Sequence, residues 1–212
     1  MAIADHELLL HWQGGDARAG EELARRYFVI LRAYFLSKCP AEYEDLVSNT
    51  FLRLLAKRDG YRGESSFRVY LFGMARMILL EHFRALRRDG RFEPMESSVV
   101  DMQGGRMSSI LGERARHRLL FDALRHLELR EQELLELYYW QHLTAGEIAQ
   151  LHEVVEPTVR SRIRAALKRL TKTYAELAGR THARDLDEDV LEQWLGELRE
   201  QLDEVRIEPP AA

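Results

Sequence analysis

The sequence predicts an all-α fold: two small helical domains joined by a flexible linker, the second containing a helix-turn-helix, followed by an acidic amphipathic helix. Three observations carry that prediction. Apolar residues recur at spacings of three and four through most of the 212 residues, strand-like alternation with hairpin dipeptides is scarce, and none of the five prolines interrupts a long helical run. The composition, 46% apolar and 31% charged, is that of a globular chain rather than a disordered one, and the length accommodates two compact cores.

The first domain is expected over residues 1–88. Residues 5–37 read as a helix, a break at Gly14-Gly15-Asp16, and a second helix whose Leu23, Tyr27, Ile30, Leu31 and Tyr34 form one buried stripe. After Cys39-Pro40 a third helix carries Leu46, Val47, Thr50, Phe51, Leu54 and Leu55, and it stops near Asp59-Gly60. A loop follows to Ser65. The fourth helix, Ser66 to about Arg88, buries Phe67, Leu71, Met74, Ala75, Ile78 and Leu79.

Residues 89–112 hold four glycines, serines, a proline and both charge signs outside any helical period, and read as the linker. The second domain, 113–179, is expected to contain helices from about Glu113 to Leu127, Gln132 to Trp140, Thr144 to Leu151 and Glu156 to Leu177. Residues 180–212 form a separate tail in which Leu186, Val190, Leu191, Trp194, Leu195, Leu198, Leu202 and Val205 line one side of a helix opposite an acidic face.

Net charge is -4, which on its own argues against nucleic acid, but the average hides its parts. Residues 57–91 carry nine basic side chains against four acidic ones, 155–179 six against two, and 180–212 four against ten. Basic charge gathered on two helices is the footprint of phosphate binding; the plain alternative is a pair of solvated helix faces. The single cysteine, Cys39, excludes an internal disulfide and a Cys-rich zinc site, and the eight histidines show no metal-ligand spacing. No Walker loop or nucleophile elbow is present, so neither an enzyme nor a cofactor is expected. No apolar run suits a membrane helix or signal peptide, from which a cytoplasmic protein is expected.

Two motifs carry function. In Leu143 to Leu151, Thr144 and Glu147 have capping-box spacing; a short turn, 152–155, then leads to a helix opened by Glu156-Pro157. Val159, Ile163, Ala166, Leu167 and Leu170 face inward there, leaving Thr158, Arg160, Ser161, Arg162 and Arg164 to face out, the layout of a recognition helix in a DNA major groove. A helical hairpin with no DNA role has the same apolar pattern. The helix from Phe67 to Arg88 interleaves rings with arginines, as single-strand capture requires, and Tyr70, Phe72 and part of Phe83 are its candidate stacking faces.

Taken in order, these segments resemble the extracytoplasmic-function sigma factors, small two-domain members of the bacterial sigma-70 family, over roughly residues 6–175. Glu44 to Leu52 looks like the family's docking helix for the β′ clamp helices of core RNA polymerase. Tyr61 to Ser66 with Phe67 to Arg88 is similar to the segment that melts and reads the minus-ten element, and Leu127 to Leu170 resembles the reader of the minus-35 element. The resemblance implies Asp45, Leu46 and Phe51 for polymerase docking. For minus-ten DNA it implies Tyr61, Arg62, Ser65, Ser66, Tyr70, Arg76, Met77, Arg84, Arg87 and Arg88. For minus-35 DNA it implies Thr158, Arg160, Ser161, Arg162, Arg164 and Lys168. The implied partners are core RNA polymerase (β′ clamp helices and β flap), promoter DNA and an anti-sigma factor, with no membrane insertion. Several positions depart from the family: Ser48 and Asn49 stand for glutamine and glutamate, Met77 for asparagine, Glu153 for a turn glycine, Val155 for a capping serine and Ala165 for arginine. Met77 implies an unusual minus-ten preference.

The rival reading is a helix-turn-helix regulator that binds duplex DNA without polymerase; Glu44 to Leu52 and Phe67 to Arg88 have no role in such a protein. For the tail, two expectations stand. It packs against its own second domain, or it covers a basic DNA-binding face or the docking face as a built-in regulator.

Overall fold

The computed structural model describes residues 3–87, 97–99, 115–179, 190, 191 and 193–196, with residues 115–118 as backbone alone. The chain runs α1 (Asp5–Gln13), α2 (Ala17–Leu36), α3 (Tyr43–Lys57), a 3₁₀ turn (Arg58–Gly60), α4 (Phe67–Leu86), α5 (Ala115–Arg125), α6 (Leu129–Tyr139), α7 (Ala145–Leu151) and α8 (Glu156–Ala178). Among the described residues there are no strands, so the fold is all-α, as the periodicity predicts. Arg88, most of the linker and most of the tail lie outside the described residues.

Helix starts follow local chemistry. The Asp16 carboxylate accepts from the Arg18 N–H at 3.0 Å to open α2, and the Ser66 hydroxyl accepts from the Val69 N–H at 3.3 Å to open α4. The expected capping box closes on α7, with the Thr144 N–H donating to Glu147 at 2.9 Å and the Glu147 N–H to Thr144 Oγ1 at 3.2 Å. By contrast, α8 has Val155 at its N-cap with no side-chain hydrogen bond, and Glu153 in the preceding turn sits at φ 54°. That left-handed conformation is one glycine takes without strain, so the two departures noted in the sequence each have a local cost.

The first domain closes α1 to α4 around Leu9, Leu23, Leu31, Phe35, Leu54, Leu71 and Leu79; the second closes α5 to α8 around Leu120, Leu135, Ile148, Val159, Leu167 and Leu170. Three expectations are corrected here. Phe72 and Phe83 are fully buried, so neither offers a stacking face; Leu55 is exposed; and Leu46, at 4% exposure, belongs to the core rather than to a docking surface. The Phe72 ring is held edge-on to Tyr34 at 5.4 Å, which consumes the face that stacking would need.

Residues at both ends of the second domain are pinned to it. Within the expected linker, Ser98 pairs with Glu128, Ser97 C=O accepts from the Leu129 N–H at 2.9 Å, and Val99 is buried. In the tail, residues 190, 191 and 193–196 are helical; Leu191 and Leu195 are fully buried. The Trp140 indole N–H donates to Leu195 C=O at 3.1 Å, and the Trp194 ring lies 5.4 Å from that of Tyr174. The described part of the tail therefore packs against its own second domain, the plainer of the two expectations.

Candidate nucleic-acid interface

The loop between α3 and α4 is a built structure rather than a slack connection. The Tyr70 hydroxyl donates to Lys57 C=O at 2.8 Å, the Tyr61 hydroxyl donates to Ser65 C=O at 2.5 Å, and the two rings lie 5.1 Å apart. Gly63 supplies the left-handed φ of 75° that lets the chain reverse between them. Burial raises the pKa of both phenols, which keeps them protonated and able to donate. Tyr61, Ser65 and Ser66 line a cleft of about 620 Å³ together with Asp5, Tyr27 and Arg68. A recess with the half-buried Tyr61 ring, hydroxyls and a guanidinium has the room and chemistry to hold an unstacked base.

Of the residues expected at the minus-ten strand, Tyr61, Ser65 and Ser66 line this cleft, and Tyr70 stands behind it with its ring against that of Tyr61. Arg62, Met77 and Arg84 are exposed, Arg87 is half-buried, and Arg88 lies outside the described residues. Met77 presents a side chain 51% exposed along α4. In the second domain Arg160, Ser161, Arg162, Arg164 and Lys168 are exposed along one side of α8, with Thr158 half-buried at its start. The Arg160 guanidinium is held by Glu156 through contacts of 2.9 and 2.5 Å, an exposed pair of the sort worth little to stability and readily exchanged for a stronger acceptor. On α3, Asp45 is exposed and Phe51 half-buried, and an outward strip of Ser48, Asn49, Leu52 and Leu55 continues the face; Leu52 is 62% exposed.

The sequence reading missed a clasp between the domains. Lys38, just past α2, is fully buried and forms an ion pair with Glu136 of α6, whose carboxylate also accepts from the Ser37 hydroxyl at 3.1 Å. Beside it, buried Glu133 accepts from the Tyr34 hydroxyl at 2.7 Å and from Arg76 Nε at 3.1 Å. Farther along, the Ser66 hydroxyl donates to Glu147 at 2.8 Å and an Arg68 N–H to Gln141 C=O at 3.0 Å. Burial pushes the Glu136 carboxyl pKa up, against the pull of Lys38, and pushes the Tyr34 phenol well above its usual range. Two of the expected minus-ten residues, Ser66 and Arg76, are therefore occupied by the second domain, and Glu147 reaches into the rim of the cleft. The available signal was the pair Glu133 and Glu136 on a side of α6 where the helical period calls for apolar residues.

His152 sits against this clasp, its Nε2 3.9 Å from Glu133. Burial lowers its pKa from the ordinary 6.5; the Glu133 carboxylate opposes the shift, and Arg76 and Arg162 reinforce it. A base whose folded pKa is depressed binds its proton more weakly folded than unfolded, so this residue costs stability as pH falls through 6.5, down to the lowered folded pKa. His152→Gln should remove that loss. In thermal melts across the window, the variant's midpoint should gain on the wild type's as pH falls below 6.5; parallel profiles would contradict the assignment.

Among the described residues no group of three or more His, Cys, Asp or Glu side chains is placed to hold a metal ion, and no helix is long and apolar enough to cross a membrane.

Comparison with known proteins gives a consistent picture. The model of sigma-70 region 2 matches residues 21–89, and that of sigma-70 region 4 matches residues 117–170. The chain is 32% identical over 153 residues to the ECF RNA polymerase sigma factor BldN of Streptomyces coelicolor, covering 68% of this chain and 56% of that protein. It is 35% identical over 95 residues to the ECF RNA polymerase sigma factor SigF of Caulobacter vibrioides, covering 43% of this chain and 52% of that one. The chain thus spans about half the length of the curated relatives it matches. Its fold is similar to that of the sigma factor RpoE of Bartonella quintana, solved in complex with the anti-sigma factor NepR, with a TM-score of 0.54 at 23% identity over 72% of this chain and 94% of that one.

Proposed function

Since the chain belongs to the sigma-70 family, in the extracytoplasmic-function group of its curated relatives, we propose that it binds core RNA polymerase and directs promoter-specific initiation of transcription. One observation carries the reading: a cleft walled mostly by the first domain, with Glu147 and Gln150 of the second at its edge, and an arginine-lined recognition helix on the second domain occur in one chain, in the family's order. In this role α3 docks on the polymerase through Asp45, Phe51 and the exposed Ser48, Asn49, Leu52 and Leu55. The cleft around Tyr61 to Ser66, with Tyr70, captures a base of the minus-ten strand, and the arginines of α4 hold its backbone. The start of α8 reads minus-35 bases through Arg160 and Ser161, with Thr158, Arg162, Arg164 and Lys168 on phosphates. The chain contributes sequence selectivity in the cytoplasm, and the polymerase performs the chemistry. An anti-sigma factor is a further partner in this reading.

Promoter engagement requires the clasp to open, because Ser66 and Arg76 cannot hold Glu147 and Glu133 and a DNA strand at once. Capture of core RNA polymerase followed by run-off transcription on genomic fragments tests the proposal. Core association with promoter-specific transcripts is expected; duplex binding without core association would identify a stand-alone regulator instead. Within that assay, Arg160→Ala should cost about 1–3 kcal/mol of promoter binding and relax preference at a single base position of the upstream element. An unchanged footprint and output would remove Arg160 from base reading.

A further inference from the structure

The shape of the cleft is set from a helix that precedes the region 2 match, which begins at residue 21. At the C-terminal end of α1, the Gln13 side-chain amide donates to Arg58 C=O at 2.6 Å and to Tyr61 C=O at 3.5 Å, bridging the two ends of the turn that enters the loop. Next to it the Trp12 ring lies 5.4 Å beneath the Arg58 guanidinium. Trp12 in turn seats directly on Gly20 of α2, where an added Cβ would come within 2.5 Å of the indole, so only glycine leaves room for the ring. At its other end α1 is fixed to α2: Asp5 accepts from Arg26 at 2.9 Å and from the Tyr27 hydroxyl, and Tyr27 packs edge-on to Phe67 at 5.2 Å. The helix is thus a strut anchored at Asp5 that holds the loop at Trp12 and Gln13.

Resting on the functional reading above, we propose that Gln13 is a positioning residue for base capture, with Trp12 as its support. A single planar amide with two donor hydrogens fixes the spacing of two loop carbonyls, and the second of them belongs to Tyr61, which lines the cleft. Without the amide those carbonyls turn to find water, the Tyr61 backbone turns with them, and the recess loses its fixed outline for one base. Its size, and the arginines that hold the strand, stay in place. Gln13 therefore acts on which base is preferred rather than on how tightly the strand is held.

Gln13→Ala and Gln13→Glu, the second keeping shape while removing the donors, test this. Each full-length chain, assembled with core RNA polymerase, is used to select from a single-stranded DNA pool randomised over the minus-ten region, alongside thermal melts and core capture. The expected result is a roughly three- to tenfold narrowing of preference at one base position in both variants, with core capture, melting midpoint and the other positions unchanged. Unchanged preference in both variants, with selection intact in the wild type, overturns the proposal. So does a lowered midpoint with an equal loss at every position, which marks Gln13 as structural only. A wild-type chain that captures no core and selects no motif overturns the functional reading, and the role of Gln13 falls with it.

Discussion

Lys38→Ala should separate the two domains. The ammonium is fully buried and, among the described residues, is the cation paired with Glu136, so truncation leaves a buried carboxylate whose remaining described donor is the Ser37 hydroxyl. Removing one partner of a buried pair costs about 3–5 kcal/mol, because the desolvated charge that remains is uncompensated. Here the chain has a route that relieves the cost without unfolding: opening the clasp returns Glu136 to water. The closed–open balance should therefore move by two to three and a half orders of magnitude, on the order of what that energy implies. Small-angle scattering should report an expanded particle with helix content retained, and binding to single-stranded DNA should rise as Ser66 and Arg76 are released. A compact variant of unchanged stability would contradict this. Lys38→Met combined with Glu136→Leu is the control, since replacing both members by apolar groups of similar volume leaves no orphaned charge and should keep the particle compact.

Deleting residues 180–212 should lower transcription, not raise it. Leu191 and Leu195 are completely buried against the second domain, and their removal uncovers Trp140 and Tyr174. A buried leucine truncated to alanine commonly costs about 2–5 kcal/mol, and the deletion removes two. Thermal melting should show the second domain destabilised, and output from a selected promoter should fall with it. A deletion that melts like the intact chain and transcribes more strongly would return the tail to the role of an acidic cover.

The helices themselves were legible because each carries its own signal: a stripe at spacings of three and four, a capping Asp16, Ser66 or Thr144, and a Pro157 at a helix start. The exposed arginines of α8 were legible for the same reason, as the complement of Val159, Ile163, Ala166, Leu167 and Leu170, all of which are buried. What escaped was whatever depends on two distant segments meeting. Phe72 and Phe83 look available from their own helix and are buried because other elements pack on α4, α3 along it and the Tyr34 ring of α2 against Phe72. Leu46 and Leu55 lie on one helix, yet the first is buried and the second exposed, because the packed stripe is narrower than the apolar one. Glu133 and Glu136 stand out on the apolar side of α6, but nothing local to them or to Lys38 announces a partner about 100 positions away. Gln13 gives no signal at all until the loop it holds is in view.

The strand-like contact of Ser98 with Glu128 limits how far the protein can stretch. While it holds, only residues 88–96 connect α4 to the second domain, and a chain that short spans at most about 35 Å when fully extended. The minus-ten and minus-35 elements lie, by their names, about 25 base pairs apart, or roughly 85 Å of duplex at 3.4 Å per base pair. A tether of residues 88–114 spans at most about 95 Å when fully extended. In the proposed role, opening the charged clasp frees the domains from each other, and undoing this small backbone pairing lengthens the leash between them.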